Sequence, residues 1–138
     1  NADQAKQCIR QIIEAVAYLH ARGFVHHDLK PENVLFRNGQ VKISDFGTAS
    51  KPNNAGNGAP SRSEMKGTFP YMAPEVLLME SYGFQSDVWS IGCITAEVLG
   101  VPLDHRTLDL ASLREFYLSL NNLMAIDVDA EEPLVKEF

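Results

Sequence analysis

Residues 25–36 read VHHDLKPENVLF, and this stretch decides how the whole chain is read. Two His, an Asp, a Lys and an Asn crowd between hydrophobic flanks. Asp28 and Asn33 lie five residues apart on one polar loop. On its C-terminal side NVLF (33–36) and VKIS (41–44) flank RNGQ (37–40). Asn38-Gly39 predicts a two-residue hairpin, because both central residues of a type I′ turn need positive φ. The hairpin would carry the chain back, so that Asp45 follows at the end of its second strand. Two carboxylates and an amide that converge are hard oxygen donors, suited to Mg²⁺ and phosphate chemistry. Lys30 adds a compact positive charge for a phosphate oxygen. For each of these residues taken singly, ordinary turn chemistry is the alternative, since Asp and Asn cap loops everywhere.

Working outward, residues 5–20 place Ile9, Ile12, Ile13, Val16 and Leu19 at helical spacing, with a breaker at Gly23. Residues 50–63, SKPNNAGNGAPSRS, lack apolar anchors and read as a loop. Their GNG (56–58) follows no strand and does not continue as a phosphate-binding glycine loop. APEVLLME (73–80) predicts a short helix with Pro in its first turn. Residues 86–99, SDVWSIGCITAEVL, are apolar on nearly every face and predict a central buried helix, with Ser86 as N-cap and Gly100 as stop. A last amphipathic helix over 109–120 would be capped by Asp109 and turn Leu113, Phe116, Tyr117 and Leu120 inward. The acidic tail 127–138 reads as frayed.

The chain has 138 residues, 45% of them hydrophobic, which is enough for a buried core. A net charge of −6 argues against a nucleic-acid or anionic-membrane surface. No apolar run is long enough to cross a bilayer. Cys8 and Cys93 have no zinc-site or CxxC spacing and fit a reducing compartment. These features together point to a cytoplasmic or otherwise intracellular protein.

Four blocks, HHDLKPEN (26–33), DFG (45–47), GTFPYMAPE (67–75) and DVWSIG (87–92), stand in one order and register. In this the chain resembles the eukaryotic serine/threonine protein kinases, from residue 5 to about residue 103. The resemblance implies an α+β fold, the mainly helical large (C-terminal) lobe of a kinase domain with a small β-hairpin. It also implies a partial domain over 1–138. Its parts are a catalytic loop at 24–36, an activation segment at 45–75, the central helix at about 86–99 and a poorly matched tail at 104–138. The glycine-rich loop, the strand lysine and its partner Glu are not in this sequence. The small lobe is therefore expected in the full-length chain, and the isolated fragment is expected to be inactive.

Residue by residue, the resemblance makes Asp28 the catalytic Asp and Lys30 the lysine that contacts the γ-phosphate. Asn33 and Asp45 become the Mg²⁺ ligands. Lys30, Glu32, Asn33, Leu35 and Asp45 become nucleotide contacts, with Leu35 under the adenine ring. Thr68 bridges the catalytic Asp and Lys. Phe46 and His26 stack in an internal hydrophobic column. Glu75 is a buried salt-bridge acid, and no Arg after it stands in the usual context of its partner. Asp87 is a buried acceptor for the catalytic-loop backbone. The implied cofactors are ATP and Mg²⁺, and the implied partner is a protein substrate carrying Ser or Thr.

At position 27 the family usually has Arg, which grips a phosphorylated activation segment. His27 cannot give that bidentate grip. The position that usually carries the activating phosphothreonine falls on Glu64, with Ser61 and Ser63 nearby as candidate phosphosites. The expectation is an enzyme that does not depend on the standard phosphate. The competing function is a pseudokinase or scaffold that acts by partner binding. A small-molecule phosphotransferase is disfavoured by the GTFPYMAPE block, since those enzymes lack the APE element that docks peptide.

Overall fold

A computed structural model describes residues 2–51, 65–79, 83–103 and 108–128, with side chains through residue 119. Residues 52–64 and 129–138 lie outside the described residues, and with them Ser61, Ser63, Glu64 and the GNG stretch. Two compact units divide the chain at residues 107 and 108.

Among the described residues, the first unit is built from two long helices, a one-turn helix and a hairpin. Helix α1 runs Ala2–His20. Strands β1 (Val34–Arg37) and β2 (Gln40–Ile43) pair antiparallel, in a register that places Val34 opposite Ile43 and Arg37 opposite Gln40. One-turn helix α2 spans Pro74–Leu77, and α3 spans Phe84–Val98. Short 3₁₀ turns at Pro31–Asn33 and Phe69–Tyr71 lead into β1 and α2. The result is mainly helical with one small sheet, as the sequence predicts.

The turn chemistry explains the hairpin. Asn38 (φ 53°) and Gly39 (φ 74°) both take the left-handed conformation that a type I′ turn demands. Helix α1 packs against β2, and Gln11 fastens the two together. Its Oε1 accepts the Val41 backbone N–H at 2.8 Å, satisfying a donor that the two-stranded sheet would leave unpaired. The core gathers Ile12 and Val16 from α1, Leu29 from the loop, Val41 from β2, Tyr71, and Cys93 and Ile94 from α3. Cys8 and Cys93 form no disulfide, and burial pushes the Cys8 thiol pKa up.

Helix α1 ends as expected. Gly23 (φ 76°) allows the Phe24 N–H to reach back to the Leu19 carbonyl at 3.2 Å. Gly100 (φ 72°) ends α3 in the same way, with the Val101 N–H on the Ala96 carbonyl at 2.8 Å.

Several expectations need correction. The buried stripe of α1 runs through Cys8, Ile12 and Val16, while Ile13 is 49% exposed. Neighbouring residues point about 100° apart, so Ile12 and Ile13 cannot share one narrow face. Ser86 is not the N-cap of α3: Gly83 is, and Ser86 lies inside the helix with its hydroxyl bonded back to the Gly83 carbonyl at 2.7 Å. Nor is α3 buried all round. Ser86, Asp87, Ser90, Cys93 and Ile94 form its buried face, whereas Val88 is 60% exposed.

The second unit holds helix α4, Leu110–Val128. Asp109 caps it as predicted, its Oδ1 accepting the Ser112 N–H at 2.8 Å. That backbone donor holds the Asp109 carboxyl pKa below its ordinary value. Leu113 and Tyr117 are buried, but Phe116 is largely exposed and stacks edge-on against Tyr117 at 5.5 Å. Leu120 falls where side chains are not described.

Candidate active site

Asp87 organises the loop at residues 25–33. It sits in the first turn of α3 and is 1% exposed. Its Oδ2 accepts the His26 backbone N–H and the His20 Nε2, both at 2.8 Å. Its Oδ1 accepts the His27 N–H at 3.0 Å. Three donors on one buried carboxylate replace the water it lost, and they fix the backbone just ahead of Asp28.

His26 continues the same structure. It is fully buried; its Nε2 donates to the Ser44 carbonyl at 3.0 Å, and its Nδ1 accepts the Asp28 N–H at 3.2 Å. A backbone N–H can only donate, so the neutral Nε2–H tautomer is the form that fits both partners. Phe46 lies edge-on to the His26 ring at 5.2 Å between centroids.

The reactive groups sit on this base. Thr68 Oγ1 donates to Asp28 Oδ1 at 2.8 Å and accepts from Lys30 Nζ at 3.0 Å. Lys30 Nζ also lies 3.3 Å from Asp28 Oδ2. The result is a closed triangle of carboxylate, ammonium and hydroxyl, drawn from positions 28, 30 and 68. Asp28 remains partly accessible, with its side chain 12% exposed. Thr68 is delivered by the turn at Gly67 (φ 119°), where an added Cβ would stand 2.6 Å from the His27 carbonyl oxygen.

Asn33 is buried, and its Nδ2 donates to the Asp28 carbonyl at 2.8 Å. Its side-chain oxygen takes no part in that bond. The Asn33 carbonyl accepts the Ser44 N–H at 2.9 Å, which brings the chain after β2 back beside the loop. Asp45 follows at once, exposed and left-handed (φ 58°), with Oδ1 accepting the Gly47 N–H at 3.3 Å. Asn33 and Asp45 thus offer an amide oxygen and a carboxylate, both hard donors that fit Mg²⁺. Among the described residues no group of three or more His, Cys, Asp or Glu side chains gathers as a metal cluster.

The other predicted residues divide. Leu35 is 50% exposed on β1, and Glu32 is exposed in the 3₁₀ turn before it. Glu75 is only half-buried on α2, and none of the ion pairs among the described residues includes it. The expected fully buried acid is therefore not seen here. Pro74 starts α2 and turns Val76 and Leu77, rather than Glu75, into the core.

Sequence reasoning missed a set of bonds on the other side of the loop. Val25 and Ser50 form an antiparallel bridge, exchanging N–H···O bonds of 2.9 and 3.0 Å. Thr48 Oγ1 donates to the His26 carbonyl at 2.9 Å, and His27 Nε2 lies 2.8 Å from Ser50 Oγ. The alternation of polar and apolar residues over Thr48, Ala49 and Ser50 is the one signal that hinted at an extended, paired segment. His27 itself is left-handed (φ 70°), a conformation that His, Asn and Asp tolerate better than most residues. Burial pushes the His27 imidazole pKa below its ordinary value; Lys66 and His26 push the same way and Asp87 opposes them.

Comparison with known proteins identifies the family. The family model described as the protein kinase domain matches residues 1–134. The calcium/calmodulin-dependent protein kinase cmkA of Emericella nidulans is 44% identical over 99 residues, covering 69% of this chain and 23% of that protein. CBL-interacting protein kinase 1 of Oryza sativa subsp. japonica is 43% identical over 109 residues, covering 76% of this chain and 23% of the relative. A chain in the crystal structure of the yeast RNA Pol II CTD kinase CTDK-1 complex superposes with a TM-score of 0.73 at 30% identity. That match covers 83% of this chain and 37% of the other. The chain thus spans about a quarter of the length of these curated relatives, and it belongs to the protein kinase domain family.

Proposed function

We propose that the domain of which this chain forms part transfers the γ-phosphate of ATP to Ser or Thr hydroxyls of protein substrates. The observation that carries the reading is the Asp28–Thr68–Lys30 triangle, with bonds of 2.8 and 3.0 Å. Phosphoryl transfer needs little covalent help from a protein: positioned groups and charge stabilisation suffice. Asp28 Oδ orients the acceptor hydroxyl and takes its proton as the oxygen attacks the γ-phosphorus. Lys30 Nζ balances charge on the migrating phosphoryl group while the bond to ADP breaks. Thr68 holds both side chains in reach of one another without occupying every oxygen of Asp28.

Asn33 and Asp45 would hold Mg²⁺ between them, and the bound ion would neutralise phosphate oxygens. Leu35, half exposed on β1, would offer the apolar contact for the adenine ring, and Glu32 a further contact to the nucleotide. The choice of Ser/Thr over Tyr rests on Lys30-Pro31-Glu32, which follows the pattern of the serine/threonine branch.

The test is phosphate transfer by the full-length protein, with Mg²⁺-ATP and myelin basic protein, beside an Asp28→Asn variant. The expected loss is about 10²–10⁴-fold in kcat, the usual worth of a positioned acid–base group, with the KM for ATP nearly unchanged. A folded full-length protein that neither binds Mg²⁺-ATP nor transfers phosphate would replace this reading with that of a pseudokinase or scaffold.

A further inference from the structure

His27 stands between two fixed structures. Its backbone N–H is held by Asp87 on α3. Its side chain reaches the opposite way, to Ser50 Oγ at 2.8 Å. Ser50 is the residue whose main chain bridges Val25, and Thr48 bonds the His26 carbonyl in the same short stretch. The residues just after Asp45 are therefore stitched to the residues just before Asp28. Most of the stitches are made by the backbone or end on it. The His27–Ser50 contact is made by two side chains, so it can be removed while the bridge is left intact.

We propose that His27 and Ser50 are a positioning pair: their hydrogen bond holds the segment that carries Asp45 against the loop that carries Asp28. This inference rests on the proposed phosphoryl transfer. Asp45 and His27 are both left-handed, a conformation that even Asp and His adopt far less readily than glycine. Such residues keep their place only when their surroundings over-determine it. Before Asp45 the chain is held through Ser44, by the Asn33 carbonyl and the His26 ring; after it the described constraints are its own bond to the Gly47 N–H, the Phe46–His26 ring contact and this stitching. The tie needs no added charge. Burial favours a neutral imidazole against the opposing pull of Asp87, and either Nε2 or Oγ can supply the proton of the bond.

The experiment is a double-mutant cycle in the full-length protein with Ser50→Ala and His27→Ala, and with Ser50→Thr as the conservative variant. Three readouts are taken: kcat, the Mg²⁺ concentration for half-maximal rate, and hydrogen exchange at the Val25 and Ser50 amides. We expect each Ala variant to lower kcat about tenfold, the double variant to be no worse than the worse single, and Ser50→Thr to stay near wild type. Such non-additivity is the signature of groups that act together. The half-maximal Mg²⁺ concentration and the exchange at both amides should rise in the Ala variants. Unchanged kcat and exchange in folded Ser50→Ala protein would overturn the proposal, and so would effects that multiply independently. If the wild type transfers no phosphate, the proposed function falls instead, and amide exchange alone then decides whether the tie exists.

Discussion

Two sides of the loop at residues 25–36 are built on opposite plans. Towards α3 and residues 67–71, nearly every polar group near Asp28 has a named partner: Asp87 takes three donors, His26 uses both ring nitrogens, and Thr68 joins Asp28 to Lys30. Towards β1 and the start of the segment after β2, the surface is apolar and open. Leu35 is 50% exposed, Phe36 more so, and Phe46 is 51% exposed beside the exposed Asp45. The first side is held by directional bonds in a buried setting, where each bond is strong and a missing one is costly. The second side offers area and two oxygen ligands, and little that holds itself. The difference separates what positions the reacting oxygens from what would receive a nucleotide.

The comparison breaks most readily at Asp87. Replacing it with Ala strands the buried His26 N–H and the part-buried His27 N–H and removes the acceptor for His20. Each stranded buried donor costs about 1–3 kcal/mol. We expect the full-length protein to lose about 2–5 kcal/mol of stability, read from the midpoint of urea unfolding. Loss of less than 1 kcal/mol would mean that the loop is not held from α3.

A smaller effect is expected at Gly67→Ala. The new Cβ would meet the backbone oxygen of His27 at 2.6 Å, at a φ that L-residues rarely adopt. Backbone atoms cannot step aside as a flexible side chain can, so the turn must shift and Thr68 must move with it. Strain of about 1–3 kcal/mol is expected, together with a fall in kcat greater than any rise in KM. A variant with unchanged kcat would show that the Thr68 bridge tolerates displacement.

Leu35→Ala sharpens the contrast from the other side. Its side chain is half exposed, so unfolding should change by about 0.5 kcal/mol or less, as at other surface positions. The KM for ATP should nevertheless rise about tenfold, equivalent to about 1.4 kcal/mol of lost contact. Loss of stability with an unchanged KM would assign Leu35 to the core instead.

The legible part of this protein was the part carried by local chemistry. Asn38-Gly39 announced the hairpin because few residue pairs accept two positive φ angles. Gly23 and Gly100 marked helix ends for the same reason, and Asp109 announced a cap through its short carboxylate. The four motif blocks placed Asp28, Lys30, Asn33, Asp45 and Thr68 on one list, although sequence spacing said nothing of their distances. The misjudged positions were those where several readings share one residue type. Ile12 and Ile13 are equally apolar, and only the packing of α1 against β2 and α3 chose between them. Ser86 looks like an N-cap in sequence, yet Gly83 fills that role because Ser86 is drawn into the buried face of α3.

Local chemistry settled the hairpin turn, the stops at Gly23 and Gly100, the Asp109 cap and the inventory of reactive groups, because these depend on φ preferences and functional groups within a few residues. Which of these groups meet was settled by packing. The Thr68 bridge closes over a separation of 40 residues, and the bond from Asp87 to His26 spans 61. The tie between His27 and Ser50 spans 23 and matches no local pattern at either end. Contacts of that kind form where helices, hairpin and loop pack around a shared core, and their geometry belongs to the packing rather than to any one stretch of chain.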